Sequence, residues 1–309
     1  MALLDFILNL VGLLLWFNWR AARFDPLAKS TPATLAGTLR RAEKTSFKRW
    51  HLPLALLGLL LLRAPLYSEF GSALNWTGKL DVAAISIPFR NNPSPLFLLS
   101  VRPLLLYSCY SFAVTLAVFL LWLLFLSALK SNAPETDSLR QLLRLHLGRL
   151  EQWPAGVKLL LPLIVITPLW WLASWPLTYW EILPATSTAL QRLEQAGLVA
   201  LGSYLAWQYL IASVLALYFV NSYVYFGRQP FWQHLDIIAR ILLRPLRPLP
   251  LRFGKVDFAP VLGIALVLLF AYFAEHGIKT PLRRNPDGSP KARWVEVPGL
   301  VDWYQRVTK

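Results

Sequence analysis

Six stretches of this 309-residue chain are long and apolar enough to cross the roughly 30 Å hydrocarbon layer of a bilayer. In that solvent every backbone N–H and C=O must be satisfied within the protein, which restricts spanning segments to helices or closed barrels. The stretches are Ala2–Trp19, Leu52–Tyr67, Pro103–Leu129, Val157–Trp180, Ala196–Phe226 and Phe258–Ala274. Their length selects helices. Composition agrees, with 56% hydrophobic and only 15% charged residues and a mean hydropathy of +0.47. Soluble domains carry about 25% charged residues. The expected fold class is therefore all-α, a polytopic membrane protein with about six transmembrane helices. The lone Cys109 excludes intrachain disulfides and any multi-cysteine metal or iron–sulfur site.

The formal charge is +15. In a soluble protein that would indicate nucleic-acid binding; here the expected partner is the anionic headgroup layer of the bilayer, with no nucleic acid. Fourteen Trp residues fit an interfacial belt, with Trp16, Trp19, Trp50, Trp170, Trp171, Trp175 and Trp180 framing the spans. Asp5 precedes every basic residue, so the first stretch reads as an uncleaved anchor with its N-terminus outside. Lys and Arg number eight in Arg20–Arg49, five in Lys130–Lys158 and six in Arg228–Lys255. The other two connections carry three (Lys79, Arg90, Arg102) and one (Arg192), so the basic links are expected on the cytoplasmic side. Seven basic residues after Ala274 break this pattern and leave the side of the tail open. Arg63 lies toward the end of the second and shortest stretch, where snorkelling to the interface is the expected behaviour and an ion pair the alternative.

The basic links share a register. Arg40 and Pro53, Arg149 and Pro162, and Arg247 and Pro260 are each thirteen residues apart. A Gly follows the Arg by seven in two copies, at Gly156 and Gly254. The implied unit is a span, a basic amphipathic stretch and a span opened by Pro, which is favourable in the first turn of a helix. It divides the chain into hairpins 1–67, 103–180 and 181–275, a non-cytoplasmic connection 68–102 and a polar tail 276–309. Within the links, Phe231, Leu235, Ile238 and Leu242 recur at helical spacing, as do Leu139, Leu142, Leu143 and Leu150. Thr136, Ser138 and Thr31–Pro32 supply helix-start chemistry. Lying in the headgroup plane is the expected arrangement, ahead of packing on the spans.

The third link is the most specific segment: Pro245, Arg247, Gly254, Asp257 and Pro260 stand where a Pro-x-Arg-Arg turn, a Gly pair and an Asp-x-Ser-Pro helix opening would place them. This pattern resembles the YggT family of small bacterial and plastid membrane proteins. Pro248, Lys255 and Ala259 depart from it, and the first two copies keep only fragments, Arg40 with Arg41 and Pro53, then Arg149, Gly156 and Pro162. The resemblance covers about residues 200–275. It implies a multi-pass protein of the bacterial cytoplasmic (inner) membrane that organises the membrane, assists assembly or confers stress tolerance, without enzymatic activity. From the residues themselves, Pro245, Pro248 and Pro250 should end the amphipathic helix on an extended path. Gly254 permits a left-handed turn, and Asp257 is placed to cap the last span.

Other chemistry is sparse. His51, His146, His234 and His276 sit at span ends or in links, so no haem clamp, metal site, cofactor or catalytic residue is expected. Asn9, Asn18, Thr115, Ser203, Gln208, Ser213, Asn221 and Ser222 are among the few polar residues inside spans, expected to hydrogen-bond between helices. Pro162 and Pro168 are candidates to break the fourth span. The connection Ser68–Arg102, with a β-like run at Ile85–Ile87, is expected to pack over the spans, and Trp294, Val297, Leu300, Val301, Trp303 and Tyr304 of the tail to dock on a partner or the membrane surface. Two other roles remain open: an accessory subunit of a larger redox or energy-transducing complex, and a small-solute or ion transporter.

Overall fold

In the computed structural model, residues 2–24, 50–73, 76, 78–82, 85–89, 97–129, 138–183, 188–224, 230–249, 251–253, 256–279 and 296–308 are described. The fold is helical: α1 Ala2–Phe24, α2 His51–Ala73, α3 Phe97–Leu129, α4 Ser138–Leu147, α5 Ala155–Tyr179, α6 Ala189–Gly202, α7 Ala206–Tyr223, α8 Pro230–Leu242, α9 Ala259–His276 and α10 Leu300–Thr308. Six segments have the length and hydropathy of membrane spans: Ala2–Ala21, His51–Gly71, Arg102–Leu129, Ala155–Tyr179, Ala189–Tyr223 and Ala259–His276. They coincide with the six apolar stretches, and the protein is an all-α polytopic membrane protein. The outward faces of the spans are apolar, as Leu61, Leu62, Ile164, Leu172, Leu268 and Phe270 illustrate. That is the surface a lipid solvent requires. Short strands pair as β1 Gly78–Val82 with β2 Ile85–Phe89, β3 Arg252–Phe253 with β4 Val256–Asp257, and β5 Gly277–Lys279 with β6 Glu296–Pro298.

The chain clusters into two compact units, residues 1–80 with 88–117 and residues 81–87 with 118–309. In the first, α1 and α2 run antiparallel. Gly12 sits where a Cβ would come within 2.8 Å of the Phe112 ring and 3.5 Å of Leu56, so only a glycine admits the close approach of three helices there. The connection after α2 does pack over the spans: Trp76 lies against Tyr67 and Tyr107, and Phe89 against Tyr107, at ring separations of 5.3–5.5 Å. The β-like run is strand β2, but helix claims both ends of the connection, through Ala73 and from Phe97.

In the second unit the two described basic links are helices, α4 and α8, each ending in a 3-10 turn, at Gly148–Gln152 and Arg244–Leu246. Most of their apolar residues are packed on the spans, the second of the two expected arrangements, while Phe231 stays exposed. Leu143 and Leu147 of α4 join Leu123 and Leu124 of α3, while Ile238, Ala239 and Leu243 of the α8 segment join Val214 and Leu215 of α7. Leu126 of α3 packs against both clusters, so both basic helices lie at the same end of this unit. Residues 25–49 of the first link, Arg40 among them, lie outside the described residues, as do Gly254, Thr136 and the side chains of Leu139 and Leu142.

The proline register is not shared. Pro53 and Pro260 are the third and second residues of α2 and α9, but Pro162 is the eighth of α5. The reason is local: after the turn of the third link the β3–β4 hairpin uses up residues before α9 starts, whereas α5 begins directly after Pro154. Pro162, Pro168 and Pro176 do not break α5, which is continuous. Thr167 donates to Leu163 O and Ser174 to Trp171 O, the carbonyls next to Ile164 and Leu172, which Pro168 and Pro176 leave without a helical N–H. Pro245 bends the chain into a 3-10 turn rather than an extended path.

At the opposite end of the second unit the tail folds back on its own spans. Tyr304 of α10 accepts a hydrogen bond from the buried Gln195 of α6 at 2.6 Å, and β6 pairs with β5 directly after α9. The described parts of the tail are thus on the far side from α4 and α8, and part of their apolar face is covered by this chain. Burial raises the Tyr304 hydroxyl above its usual 10.0, with the Gln195 bond opposing. A raised folded-state value stabilises docking fully below pH 10 and loses that contribution as pH climbs through the shifted value. The melting temperature of the detergent-solubilised protein is therefore expected to fall more steeply above pH 10 than that of Tyr304→Phe. Gly277 has φ +71°, and a Cβ there would stand 2.1 Å from Val297 O. Gly277→Ala is expected to abolish hydrogen-exchange protection in α10 while leaving α5 and α6 protected.

Candidate functional site

A charged network inside the spans is the densest chemistry in the molecule. Arg63 is the thirteenth residue of α2, about 12 Å along the helix from Gly71, and its side chain is fully buried. It does not snorkel. Sequence inspection ended the second stretch at Tyr67, but the helix continues through Pro65 to Ala73, which moves Arg63 inward. A buried guanidinium has lost several kcal/mol of hydration and needs both an anion and acceptors for its donors. Asp5 supplies the charge: Arg63 Nη2 lies 2.5 Å from Asp5 Oδ1, whose side chain is 18% exposed. Nη1 donates to Asn9 Oδ1 at 2.9 Å, and Nε and Nη2 donate to the Tyr67 hydroxyl at 3.0 and 2.8 Å. That hydroxyl donates onward to Asp5 Oδ1 at 2.6 Å.

α3 closes the network. Ser111 Oγ donates to Asp5 Oδ2 at 3.1 Å and accepts from Asn9 Nδ2 at 2.9 Å, while Asn9 also donates to Asp5 at 3.3 Å. One turn earlier, Ser108 donates to Leu60 O of α2 at 2.9 Å. Five side chains on three helices thus form a circuit, roofed by the rings of Tyr67, Trp76, Tyr107 and Phe89. Helical spacing aligns it: Asp5 with Asn9, and Arg63 with Tyr67, are four apart on one face. Asn9 bonds between helices as expected, but Thr115, Ser203 and Ser213 bond back to carbonyls of their own helices, at Ser111, Ala200 and Tyr209.

A second buried cation went unrecognised in the sequence, where Lys158 counted as part of a basic link. It is 2% exposed, at the fourth residue of α5. Its ammonium donates to Ser127 Oγ at 2.8 Å, Ser127 O at 3.3 Å and Glu151 O at 2.6 Å. Ser127 O belongs to the last turn of α3, where carbonyls lack helical partners and the helix dipole favours a positive charge. Backbone carbonyls leave no mark in a residue pattern, which is why this site was hidden. Trp170 corrects another expectation: it is buried in the middle of α5 rather than at the interface, while Trp175 is exposed.

The residues of the third-link motif take structural positions. Asp257 Oδ1 accepts the N–H of Ala259, the first residue of α9, at 3.0 Å, and the Asp257 N–H donates to the Tyr223 hydroxyl at 3.2 Å. The carboxylate thus caps the last span. Pro260 is buried beside it, whereas Pro245 and Arg247 are exposed at the 3-10 turn. In the second link Arg149 and Gly156 are exposed as well. Among the described residues, no three or more His, Cys, Asp or Glu side chains gather to hold a metal ion. No protein-family model, curated protein or solved structure matches the chain.

Breaking a buried ion pair from one side leaves an uncompensated charge and costs about 3–5 kcal/mol. Asp5→Leu and Arg63→Met are each expected to lower the stability of the detergent-solubilised protein by about that amount. The double variant Asp5→Leu/Arg63→Met should regain most of it, because an apolar pair of similar volume carries no desolvation cost. Unfolding by steric trapping measures the cycle; additive losses in the double variant would show that the two side chains are not coupled.

Proposed function

We propose that this protein is a non-enzymatic organiser or assembly factor of YggT type in the bacterial cytoplasmic membrane, with the α4 and α8 end facing the cytoplasm. The observation that carries the reading is how charge is used inside the spans. Ionisable groups within a membrane are functional-site candidates by default. Here Arg63 spends Nε, Nη1 and Nη2 on Tyr67, Asn9 and Asp5, and Lys158 holds the end of α3. Both charges lock helices to one another, as a scaffold needs. The motif residues support the same type: Asp257 and Pro260 build the start of the last span, and Pro245 with Arg247 forms the turn before it.

A second reading, an accessory subunit of a larger membrane complex, is favoured by the exposed Val297 and Trp303 that remain on the docked tail. Native purification in mild detergent, with mass spectrometry of what stays bound, separates the two. Recovery with substoichiometric assembly partners or as a homo-oligomer is expected of an organiser. A stoichiometric cofactor-bearing partner would establish the subunit. Saturable solute uptake by proteoliposomes, abolished by Asp5→Asn, would overturn both in favour of a transporter.

A further inference from the structure

At one end of the second unit the structure brings together arginines that are far apart in the sequence. Arg144 and Arg149 are exposed on α4 and its 3-10 turn, and Arg240, Arg244 and Arg247 on α8 and the turn that follows it. Both segments are seated by their apolar faces on the same stretch of α3, through Leu126. Packing fixes which flank of each helix faces outward. On α8 the buried flank holds Leu235, Ile238, Ala239 and Leu243. The outward flank holds Ile237, Arg240, Ile241 and Arg244, which follow at steps of three, one and three and so form one strip. Ile237 and Ile241 are 45% and 38% exposed, and Phe231 at the start of the helix 54%. Arg240 stays 62% exposed while paired with Asp236 at 2.8 Å.

We propose that this rim is a selective seat for anionic phospholipids of the adjacent leaflet. The exposed strip mixes two chemistries, isoleucine and phenylalanine side chains to enter the acyl boundary and guanidinium groups to meet phosphate, and a leaflet surface offers both at the required depth. Arginine suits the role because its planar donors grip phosphate oxygens in pairs. Charge complementarity selects the headgroup: five exposed arginines, on α4, α8 and the turns that follow them, lie at one end of the unit. Helices α4 and α8 are then not loosely adsorbed on the membrane. The spans hold their inner faces, and the outer faces present a preformed cationic edge. This inference stands apart from the organiser reading, since a subunit or a transporter would present the same edge.

The test uses the full chain, reconstituted in vesicles of equal phosphatidylglycerol and phosphatidylcholine and then extracted into mild detergent. Mass spectrometry counts the lipids that remain bound. The wild-type protein is expected to retain phosphatidylglycerol in excess. Arg240→Gln/Arg244→Gln/Arg247→Gln should cut that preference by about fivefold or more, the factor corresponding to one near-surface basic residue. Arg144→Gln/Arg149→Gln should reduce it further in combination. The matching Arg→Lys variants should keep part of the preference, and Arg306→Gln, on α10 at the other end, should leave it intact. Circular dichroism and melting establish that each variant is folded. Equal retention of the two lipids by the wild type, or a preference untouched by the five substitutions, would overturn the proposal. It would also fall if inorganic phosphate alone stabilised the protein and abolished the preference, since the site would then take a free anion.

Discussion

A guanidinium buried among apolar helices has nowhere to put its charge except on another part of the protein. In the first unit that requirement is met by Asp5, Asn9, Tyr67 and Ser111, and meeting it fixes the rotation and depth of three helices at once. Lipid supplies little force to choose among helix arrangements, because the tails are as apolar as leucine. A charge pair does choose, since any rotation that parts Arg63 from Asp5 leaves both without compensation. The close approach at Gly12 and the aromatic roof are consistent with this arrangement: one brings the backbones near enough, and the other packs rings beside the Arg63–Tyr67 side of the network.

The second unit relies on backbone carbonyls instead. Lys158 and Ser127 finish the end of α3, and indole N–H groups reach across helices, Trp122 to Ala206 O and Trp207 to Leu121 O. Tyr204 does the same toward Leu159 O. Such bonds hold helices in register without placing charge against lipid. On this frame α4 and α8 gather at one end and the described parts of the tail at the other, so Lys279 and Arg306 lie opposite the links. The positive-inside tendency acts on loops close to the spans. A tail anchored by β5–β6 pairing and Tyr304 can carry charge on the other side.

The spans were legible because their signal is one-dimensional: sustained apolarity over about twenty residues reports a membrane helix wherever it folds. The amphipathic links were legible for the same reason, through helical periodicity, and Asp257 was readable as a cap because capping is a local interaction between neighbours in sequence. The fate of Arg63 was not readable. Its immediate neighbours in sequence are leucines, alanine and proline; of its partners only Tyr67 is on its own helix, while Asp5 and Asn9 lie on α1. The repeat anchors show the same limit, since equal spacing of Arg149 with Pro162 and of Arg247 with Pro260 conceals different structures between them.

The sequence by itself determined the solvent of this protein, the number of its spans and the positions of its basic helices, because each depends on composition and periodicity along the chain. Only the tertiary structure decided which charges are buried, which faces of α4 and α8 remain open and on which end the tail lies. Those outcomes depend on the pairing of groups distant in sequence, and in a low-dielectric interior it is the partner, not the residue, that determines whether a charge is tolerated.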